Sequence, residues 1–424
     1  MTRVLRRPAG ARGASALLAM VVLLLSALAP TARAAEDDAP DVGAPAALAV
    51  ELSTGDVVFE RRKDDQRGIA STTKLMTALV ALEREPDLSR RFTVPAYDAS
   101  PGESLANLHT GDRMTLRDLL TGMMLPSGND AATAIARAVG GSVPAFVRLM
   151  NDRARKIGID ARFTNPVGLD APGHHASAAD LVKITLLLRR YPAFREIVDE
   201  RSATLSSASP PITVVNRNTL VQSVPWVDGV KTGHTRASGY ALVGSGRRRG
   251  IDVVTVVLGT SSEAERNSDS LALLRYALAR YERARPLRRG EALEALPLRY
   301  RDSRVRIVAA GSVTRTARRG ERFTTRVIGL PRDVEGPLKA GARLGTVELV
   351  QRGRVVARVP AVTERAVAAA TFWERLDDHL ERGWVRFLLA AAVLCVLALA
   401  LLVYRARRVA RRPSGSPRGS SPTT

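Results

Sequence analysis

The sequence predicts a mixed α/β (α+β) domain, followed by a small all-β domain and one C-terminal apolar helix. Three observations support this fold class. Short β-type runs stand near both ends of residues 35–283, with helical periodicity between them. A second series of short β runs lies within residues 284–361, where Arg, Pro and Gly become frequent. An uncharged apolar run then covers residues 387–404.

The α+β domain begins with two predicted strands joined by a turn in which Gly55 supplies the backbone freedom. Because residues 251–258 are apolar throughout, we expect that strand at the centre of the sheet. The predicted strands are 47–52, 57–60, 227–232, 240–244 and 251–258. The predicted helices are 71–82, 115–139, 143–157, 176–190 and 267–281.

The all-β domain should contain short strands, with Arg352 and Gly353 as the turn of a hairpin. The strands are predicted at 305–308, 323–327, 346–350 and 355–359. Residues 362–386 should form a helical linker into the apolar run. Residues 405–424 are rich in Arg, Ser and Pro and should be disordered.

Both ends of the chain carry targeting patterns. Residues 1–34 have a basic start, an apolar stretch and a small-x-small triplet, which predicts a signal peptide cleaved before Ala35. An uncleaved anchor is the alternative. Residues 387–404 would span roughly 27 Å as a helix, close to the hydrocarbon thickness of a bilayer. Arginines follow this run, which predicts a transmembrane helix with a cytoplasmic C-terminus and an extracytoplasmic segment 35–383. A buried core helix is the alternative.

The net charge of +22 would suit a nucleic-acid partner, but its distribution argues against one. Residues 1–34 hold five arginines and residues 405–424 hold six, with no acidic residue in either segment. No basic run alternates with stacking aromatics. A basic surface facing an anionic wall or lipid is the simpler interpretation. Cys395 is the sole cysteine, which excludes an intrachain disulfide.

Ser71 and Lys74 stand three residues apart at the predicted start of a helix, so their side chains should share one face. A serine hydroxyl becomes a good nucleophile only when a nearby base accepts its proton. A lysine amine can be that base if burial or a second cation lowers its pKa. Backbone N–H groups at the helix start can stabilise an oxyanion. By itself, Ser71 is also compatible with an ordinary helix N-cap.

Two further motifs complete the candidate site. Ser127-Gly128-Asn129 lies in a predicted loop between helical segments. Lys231-Thr232-Gly233-His234 lies on a predicted strand, where glycine leaves room for a substrate backbone and lysine offers positive charge to a carboxylate. Alone, the first motif is compatible with a simple turn and the second with an exposed strand. In this order, S-x-x-K, S-x-N and K-T-G are the signature set of penicillin-binding enzymes and class A β-lactamases.

The segments around these motifs resemble the low-molecular-mass D-alanyl-D-alanine carboxypeptidases, the serine peptidases of the penicillin-binding protein 5 type (family S11). The resemblance is carried by Ile69–Thr77, Phe163–Leu169, Pro172–His175, Gly229–Thr235 and Val256–Gly259. It is clear over about residues 45–280 and fainter over 285–361, where that family carries a small β domain. It implies a penicillin-binding/β-lactamase-like transpeptidase fold with a closing membrane anchor. That anchor is usually an amphipathic helix, whereas residues 387–404 have the composition of a span.

The resemblance also implies the catalytic residues. Ser71 would form the acyl-enzyme, Lys74 would accept its proton, and Ser127 would relay a proton towards the leaving amine. The middle motif reads Ser-Gly-Asn in place of the Ser-Asp-Asn of class A β-lactamases, which favours a peptidase.

Substrate binding would fall to the remaining motif residues. Asn129 would bind the substrate amide, and Lys231 would hold the terminal carboxylate or order the Ser127 side of the site. The backbone N–H groups of Ser71 and His234 would form the oxyanion hole. The full substrate-binding set is Asn129, Lys231, Thr232, Gly233 and His234. The implied partners are peptidoglycan pentapeptide stems, β-lactam antibiotics and the cytoplasmic membrane.

The implied reaction removes the terminal D-alanine from peptidoglycan stems through a Ser71 acyl-enzyme, in cell-wall biogenesis. Alternatives are a D,D-endopeptidase acting on wall cross-links, a class A-like β-lactamase, for which no deacylating base is identified, and a catalytically silent wall-binding scaffold. No cofactor or metal is expected. His174 and His175 are adjacent, so they point apart and rarely bind one ion, and together with Asp170 they indicate a solvent-exposed loop. No G-x-S-x-G motif supports a Ser-His-Asp triad.

Overall fold

The computed structural model describes residues 39–381 and 383–410. The predicted signal peptide and residues 411–424 of the predicted tail lie outside this range. The chain divides into two compact units. Within the described residues, the first comprises 39–283 and 316–319, and the second comprises 284–315, 320–381 and 383–410.

The first unit combines one large sheet with helices from the middle of the chain. Its helices are α1 (Lys74–Arg84), α2 (Leu116–Met124), α3 (Asn129–Gly140), α4 (Val143–Lys156), α5 (Ala178–Leu188), α6 (Pro192–Asp199), α7 (Thr219–Ser223) and α8 (Glu263–Ala279). Its strands are β1 (Ala46–Glu51), β2 (Val57–Arg61), β3 (Arg91–Thr93), β4 (Arg113–Thr115), β5 (Ser202–Leu205), β6 (Ile212–Val215), β7 (Val227–Thr235), β8 (Gly239–Arg248) and β9 (Ile251–Thr260).

The large sheet has the order β2-β1-β9-β8-β7, and every neighbouring pair in it is antiparallel. β9 lies at its centre, as the apolar run predicts. Successive side chains of a strand point to opposite faces, so Val254 and Val256 enter one core while Val253 and Val257 enter another. Helices α1 to α6 contribute to the first core, and α7 and α8 to the second. The sheet is therefore covered by helices on both faces.

A second sheet dominates the second unit. From residue 281 the strands are β10 (Tyr281–Leu287), β11 (Ala292–Pro297), β12 (Arg304–Ala309), β13 (Val313–Arg318), β14 (Phe323–Ile328), β15 (Arg343–Gln351) and β16 (Arg354–Thr363). Five of them form an antiparallel sheet in the order β11-β12-β16-β15-β14. Arg352 and Gly353 have φ values of 49° and 74°, the left-handed values of a two-residue hairpin turn, and connect β15 to β16 as expected.

Several element boundaries differ from the sequence prediction. The expected helical linker 362–386 begins only at α9 (Phe372–Glu381), because β16 continues to Thr363 and Val367 forms a β-bridge. The expected helix 267–281 starts earlier, at α8, where the Ser262 hydroxyl caps the helix by accepting from the Glu265 N–H. Residues 405–410, expected to be disordered, belong to α10 (Gly383–Ala410).

Helix α10 contains the predicted span. Within the described residues, it is the one helix long and apolar enough to cross a membrane, over the 23 residues Arg386–Arg408. The most apolar segment of this helix is not buried against the rest of the described structure. The predicted segment 387–404 lies inside it.

Candidate active site

The hydroxyl of Ser71 and the amine of Lys74 meet at the start of α1. A 3-10 turn, Ala70–Thr73, leads directly into this helix. Residues three apart align in such a turn because it has about three residues per turn. Lys74 Nζ lies 3.0 Å from Ser71 Oγ. This is the contact that the S-x-x-K spacing predicts.

The Lys74 amine is fully buried. Its Nζ donates to Asn129 Oδ1 at 2.6 Å and to the Val167 carbonyl at 2.7 Å, in addition to its contact with Ser71. Burial lowers the pKa of Lys74 to about 7, although nearby carboxylates oppose the shift. Near neutral pH, a large fraction of molecules therefore carries a neutral amine that can accept a proton from Ser71.

The middle motif stands between α2 and α3. Asn129 opens α3, and its amide reaches Lys74. Ser127 has a φ of 67°, a left-handed value that is uncommon for a residue other than glycine. Its hydroxyl is buried and has no hydrogen-bond partner among the described residues. Leaving a buried hydroxyl unpaired costs about 1–3 kcal/mol. A bound ligand that forms a hydrogen bond with Ser127 would remove this cost.

The third motif belongs to the edge strand β7. A Cβ atom added at Gly233 would lie 3.1 Å from the backbone nitrogen of Ser71, so glycine allows this strand to approach the start of α1. Lys231 is fully buried, and its Nζ donates to the Thr232 carbonyl at 2.9 Å. Burial, with a contribution from Lys74, lowers the pKa of Lys231 well below its usual value. No hydrogen bond joins Lys231 to Ser127 within residues 39–381, so an ordering contact between them stays a prediction.

A cleft of about 480 Å³ brings the three motifs together. The motif residues that line it are Ser71, Ser127, Thr232, Gly233 and His234. Two arginines that motif reasoning missed also line it. Arg217 Nη1 donates to Ser104 Oγ at 2.7 Å, and Arg266 Nη2 donates to Glu263 Oε1 at 2.7 Å. Arginines are frequent throughout this chain, so no sequence signal distinguished these two.

The loop 163–175 supplies the backbone acceptor of the site. Asn165 Oδ1 accepts hydrogen bonds from the N–H groups of the following residues, including Gly168 at 2.6 Å. Gly168 has a φ of 92°, and a Cβ there would lie 2.0 Å from the Ala70 carbonyl oxygen. This tight turn presents the Val167 carbonyl to Lys74. The resemblance identified the loop, but a backbone acceptor leaves no side-chain pattern by which to predict its role.

His174 is buried, which corrects the expectation of a solvent-exposed histidine pair. The Thr164 N–H donates to Nδ1 at 3.1 Å, so the neutral ring carries its proton on Nε2, which donates to Thr73 Oγ1 at 2.7 Å. Burial lowers the pKa of His174 to about 4. The neutral imidazole therefore braces the turn that carries Lys74. Among the described residues, no group of His, Cys, Asp and Glu is placed to hold a metal ion.

The Ser71 hydroxyl lies against the buried amine of Lys74, whose pKa is low. The unpaired Ser127 hydroxyl and the Asn129 amide belong to the same site. This arrangement is that of a serine acyl-transfer enzyme. Comparisons with known proteins agree with this class. Residues 32–262 match the family model Peptidase S11, described as D-alanyl-D-alanine carboxypeptidase. The chain is 28% identical over 381 residues to D-alanyl-D-alanine carboxypeptidase DacF of Bacillus subtilis, covering 87% of this chain and 98% of that protein.

Two further comparisons extend over most of the chain. Identity to D-alanyl-D-alanine carboxypeptidase DacD of Escherichia coli is 32% over 361 residues, covering 80% of this chain and 91% of that protein. The crystal structure of penicillin-binding protein 5 from Haemophilus influenzae matches with a TM-score of 0.57 and 28% identity, over 78% of this chain and 98% of that one. The chain belongs to the S11 peptidase family, which confirms the resemblance seen in the motifs. It is therefore a serine hydrolase with the mixed α/β fold of D,D-peptidases.

The buried His174 predicts a pH-dependent stability of the first unit. An unfolded histidine binds a proton below about pH 6.5, whereas the folded ring stays neutral until about pH 4. Stability should therefore fall as the pH drops through this window, by about 2 kcal/mol between pH 7 and pH 4.5. We expect His174→Asn, which keeps an acceptor for the Thr164 N–H, to reduce this loss. Urea unfolding at the two pH values measures it.

His379→Asn is the matched control, because His379 is exposed and lies on α9 in the second unit. It should keep the wild-type pH profile. An unchanged profile in His174→Asn would contradict the assignment of a neutral, buried imidazole.

Proposed function

We propose that Ser71 is the nucleophile with which this chain cleaves the terminal D-alanyl-D-alanine bond of peptidoglycan stems, in cell-wall biogenesis. The observation that carries the proposal is the 3.0 Å contact between Ser71 Oγ and a buried Lys74 amine with a pKa of about 7. The similar proteins DacF and DacD are D-alanyl-D-alanine carboxypeptidases, which supports this activity. β-lactams present a similar carbonyl and carboxylate, so they should acylate the same serine.

The proposed reaction has two steps. Ser71 Oγ attacks the carbonyl carbon between the two D-alanines as its proton passes to the neutral Lys74 amine. The carbon–nitrogen bond then breaks, and Ser127 relays a proton to the departing D-alanine amine. Water hydrolyses the resulting ester and restores the Ser71 hydroxyl. The N–H groups of Ser71 and His234 would stabilise the oxyanion in each step.

Charge in the cleft supports recognition of a carboxylate. Arg217 and Arg266 line the cleft, and both lower the pKa of the buried Lys231 through their positive charge. An anionic substrate terminus would offset the repulsion among these groups. In this proposal, Lys231 and the neighbouring Thr232 hold the terminal carboxylate, while Asn129 binds the substrate amide.

Acylation by penicillin should depend on the neutral form of Lys74. Below pH 7 the rate constant should fall as the amine becomes protonated, with a midpoint at about 7. Lys74→Ala should slow acylation by at least about 100-fold, and Ser71→Ala should abolish covalent labelling. Fluorescent penicillin labelling of the full chain in detergent, timed across pH 5.5 to 9, measures all three effects. Lys156→Ala, an exposed lysine on α4, is the matched control and should label as the wild type does.

Persistent labelling of Ser71→Ala would refute the nucleophile. A labelling rate independent of pH through neutrality would refute Lys74 as the base.

The full chain should release D-alanine from diacetyl-lysyl-D-alanyl-D-alanine, and Ser71→Ala should release none. The products distinguish the alternatives. Cleavage of cross-linked muropeptides in preference to this peptide would favour the endopeptidase, and rapid turnover of a chromogenic cephalosporin would favour the β-lactamase. If the chain neither releases D-alanine nor is labelled by penicillin, the result would favour the catalytically silent wall-binding scaffold.

The finer organisation of the chain is part of the proposal. Residues 1–34 would be a cleaved signal peptide, 35–283 the catalytic domain and 284–361 a small β domain, with a linker from there to the membrane span. Residues 387–404 would cross the membrane, and residues 405–424 would form a cytoplasmic basic tail. The length and apolar composition of α10 support the span, and the arginines after residue 404 support the orientation.

Protease added outside intact spheroplasts should remove the penicillin-labelled domain, because the proposed topology exposes residues 35–383. A short epitope after Thr424 should survive the treatment with the membrane-spanning fragment. Gel analysis of both labels tests activity and sidedness together. Protection of the labelled domain, or loss of the C-terminal epitope before lysis, would overturn the topology.

A further inference from the structure

Glu103 stands beside the candidate active site but belongs to none of its motifs. Its Oε2 accepts a hydrogen bond from Asn129 Nδ2 at 2.7 Å. The other end of the same amide, Asn129 Oδ1, accepts from Lys74 Nζ at 2.6 Å. Gly102 and Ser104, the neighbours of Glu103 in sequence, both line the cleft. A single amide therefore links this carboxylate to the amine of Lys74.

The carboxylate decides which end of the Asn129 amide faces Lys74. An asparagine amide has nearly the same shape in its two flipped orientations, but one end only accepts hydrogen bonds and the other only donates them. In the flipped orientation, Oδ1 would face the carboxylate of Glu103, which cannot donate, and the protonated form of Lys74 would lose an acceptor. Only the observed orientation satisfies both neighbours.

Glu103 is itself held in place by its own loop. The Ser100 N–H donates to Oε1 at 3.0 Å, and the Tyr97 hydroxyl donates to Oε2. Burial raises the pKa of Glu103, but the hydrogen bonds from Tyr97, Asn129 and Ser100 outweigh this effect and lower it below its usual value. The group is therefore an ionised, acceptor-only carboxylate at neutral pH.

We propose that Glu103 is a positioning residue for acyl transfer, which holds the Asn129 amide with its oxygen towards Lys74 and its nitrogen fixed by the carboxylate. Nδ2 carries two hydrogens, and one of them is fixed by its hydrogen bond to Glu103. This inference rests on the proposed function of Ser71 and Lys74.

Glu103 also acts on the proton affinity of Lys74. The charges that face the buried amine are Asp130 and Glu103, which raise its pKa, and Arg217, which lowers it. Lys231 lies on the neighbouring strand and is coupled to Lys74 by repulsion. Asp130 has the larger of the two raising effects, and its carboxylate also accepts hydrogen bonds from the N–H groups at 106 and 108. Removing the charge of Glu103 should therefore leave a less basic Lys74, an effect that a residue serving only to fill space would not have.

Two substitutions separate the positioning effect from the charge effect. Glu103→Met replaces the two carboxylate oxygens by a weakly accepting thioether while keeping the side-chain length. It should slow penicillin acylation by about 10- to 100-fold, the loss expected for a hydrogen bond to a charged group. Glu103→Gln keeps one acceptor but removes the charge. It should retain more of the rate and move the acidic midpoint of acylation to a lower pH. Fluorescent penicillin labelling of the full chain, timed across pH 5.5 to 9, measures both quantities.

Glu60→Gln is the matched control, because Glu60 is an exposed carboxylate on β2 of the same unit. It should leave the rate and the midpoint unchanged. Thermal unfolding of each variant checks the fold. If Glu103→Met fails to fold, the acidic midpoint of acylation in Glu103→Gln tests the proposal by itself.

Rates within twofold of the wild type in a folded Glu103→Met, or an unmoved midpoint in Glu103→Gln, would overturn the proposal. Failure of the wild-type chain to label at all would instead overturn the proposed function.

Discussion

The burial of the Lys74 amine is the constraint on which the rest of the site depends. Moving an ammonium group out of water costs several kcal/mol unless polar partners replace the lost hydration. Three acceptors surround Nζ, namely the Ser71 hydroxyl, the Asn129 amide oxygen and the Val167 carbonyl. Desolvation lowers the pKa, and the acceptors hold the amine in one position. The same burial therefore makes the group a base and keeps it against the nucleophile.

The fold brings these partners together from distant stretches of sequence. Ser71 and Lys74 come from the start of α1, whereas Asn129 comes from the start of α3. Because β9 pairs with both β1 and β8, the first and last strands of the first unit close into one sheet. Its edge strand β7 then lies beside the start of α1, where Gly233 permits close approach. Sheet topology thus places a second buried amine, Lys231, next to the first.

Those parts of the site that depend on regular spacing could be predicted from the sequence. The Ser71–Lys74 contact follows from the repeat of a helical turn, and the central position of β9 follows from its unbroken apolar run. Helical periodicity over 115–139 predicted one helix, whereas the structure has α2 and α3, and the break between them coincides with the loop predicted at Ser127 and Gly128. Each motif lies on a helix or strand, or at the boundary of one, and this made the motifs recognisable in the sequence. The expected helical linker 362–386 was wrong at its start, because β16 continues to Thr363 and Val367 forms a β-bridge with Leu338 before α9 begins at Phe372.

The groups that the sequence could not reveal act through loops or backbone atoms. Val167 contributes only its carbonyl, and Glu103 reaches Asn129 from a loop whose path no periodicity predicts. The histidine pair is more instructive. Extended backbone sends adjacent side chains to opposite sides, which argues against a shared metal ion, but it equally requires that one ring turn inward when the loop packs on the domain. His174 is that ring. The loops around this site therefore act on Lys74 as directly as its own helix does, since they supply its carbonyl acceptor, orient its amide partner and brace the turn that carries it.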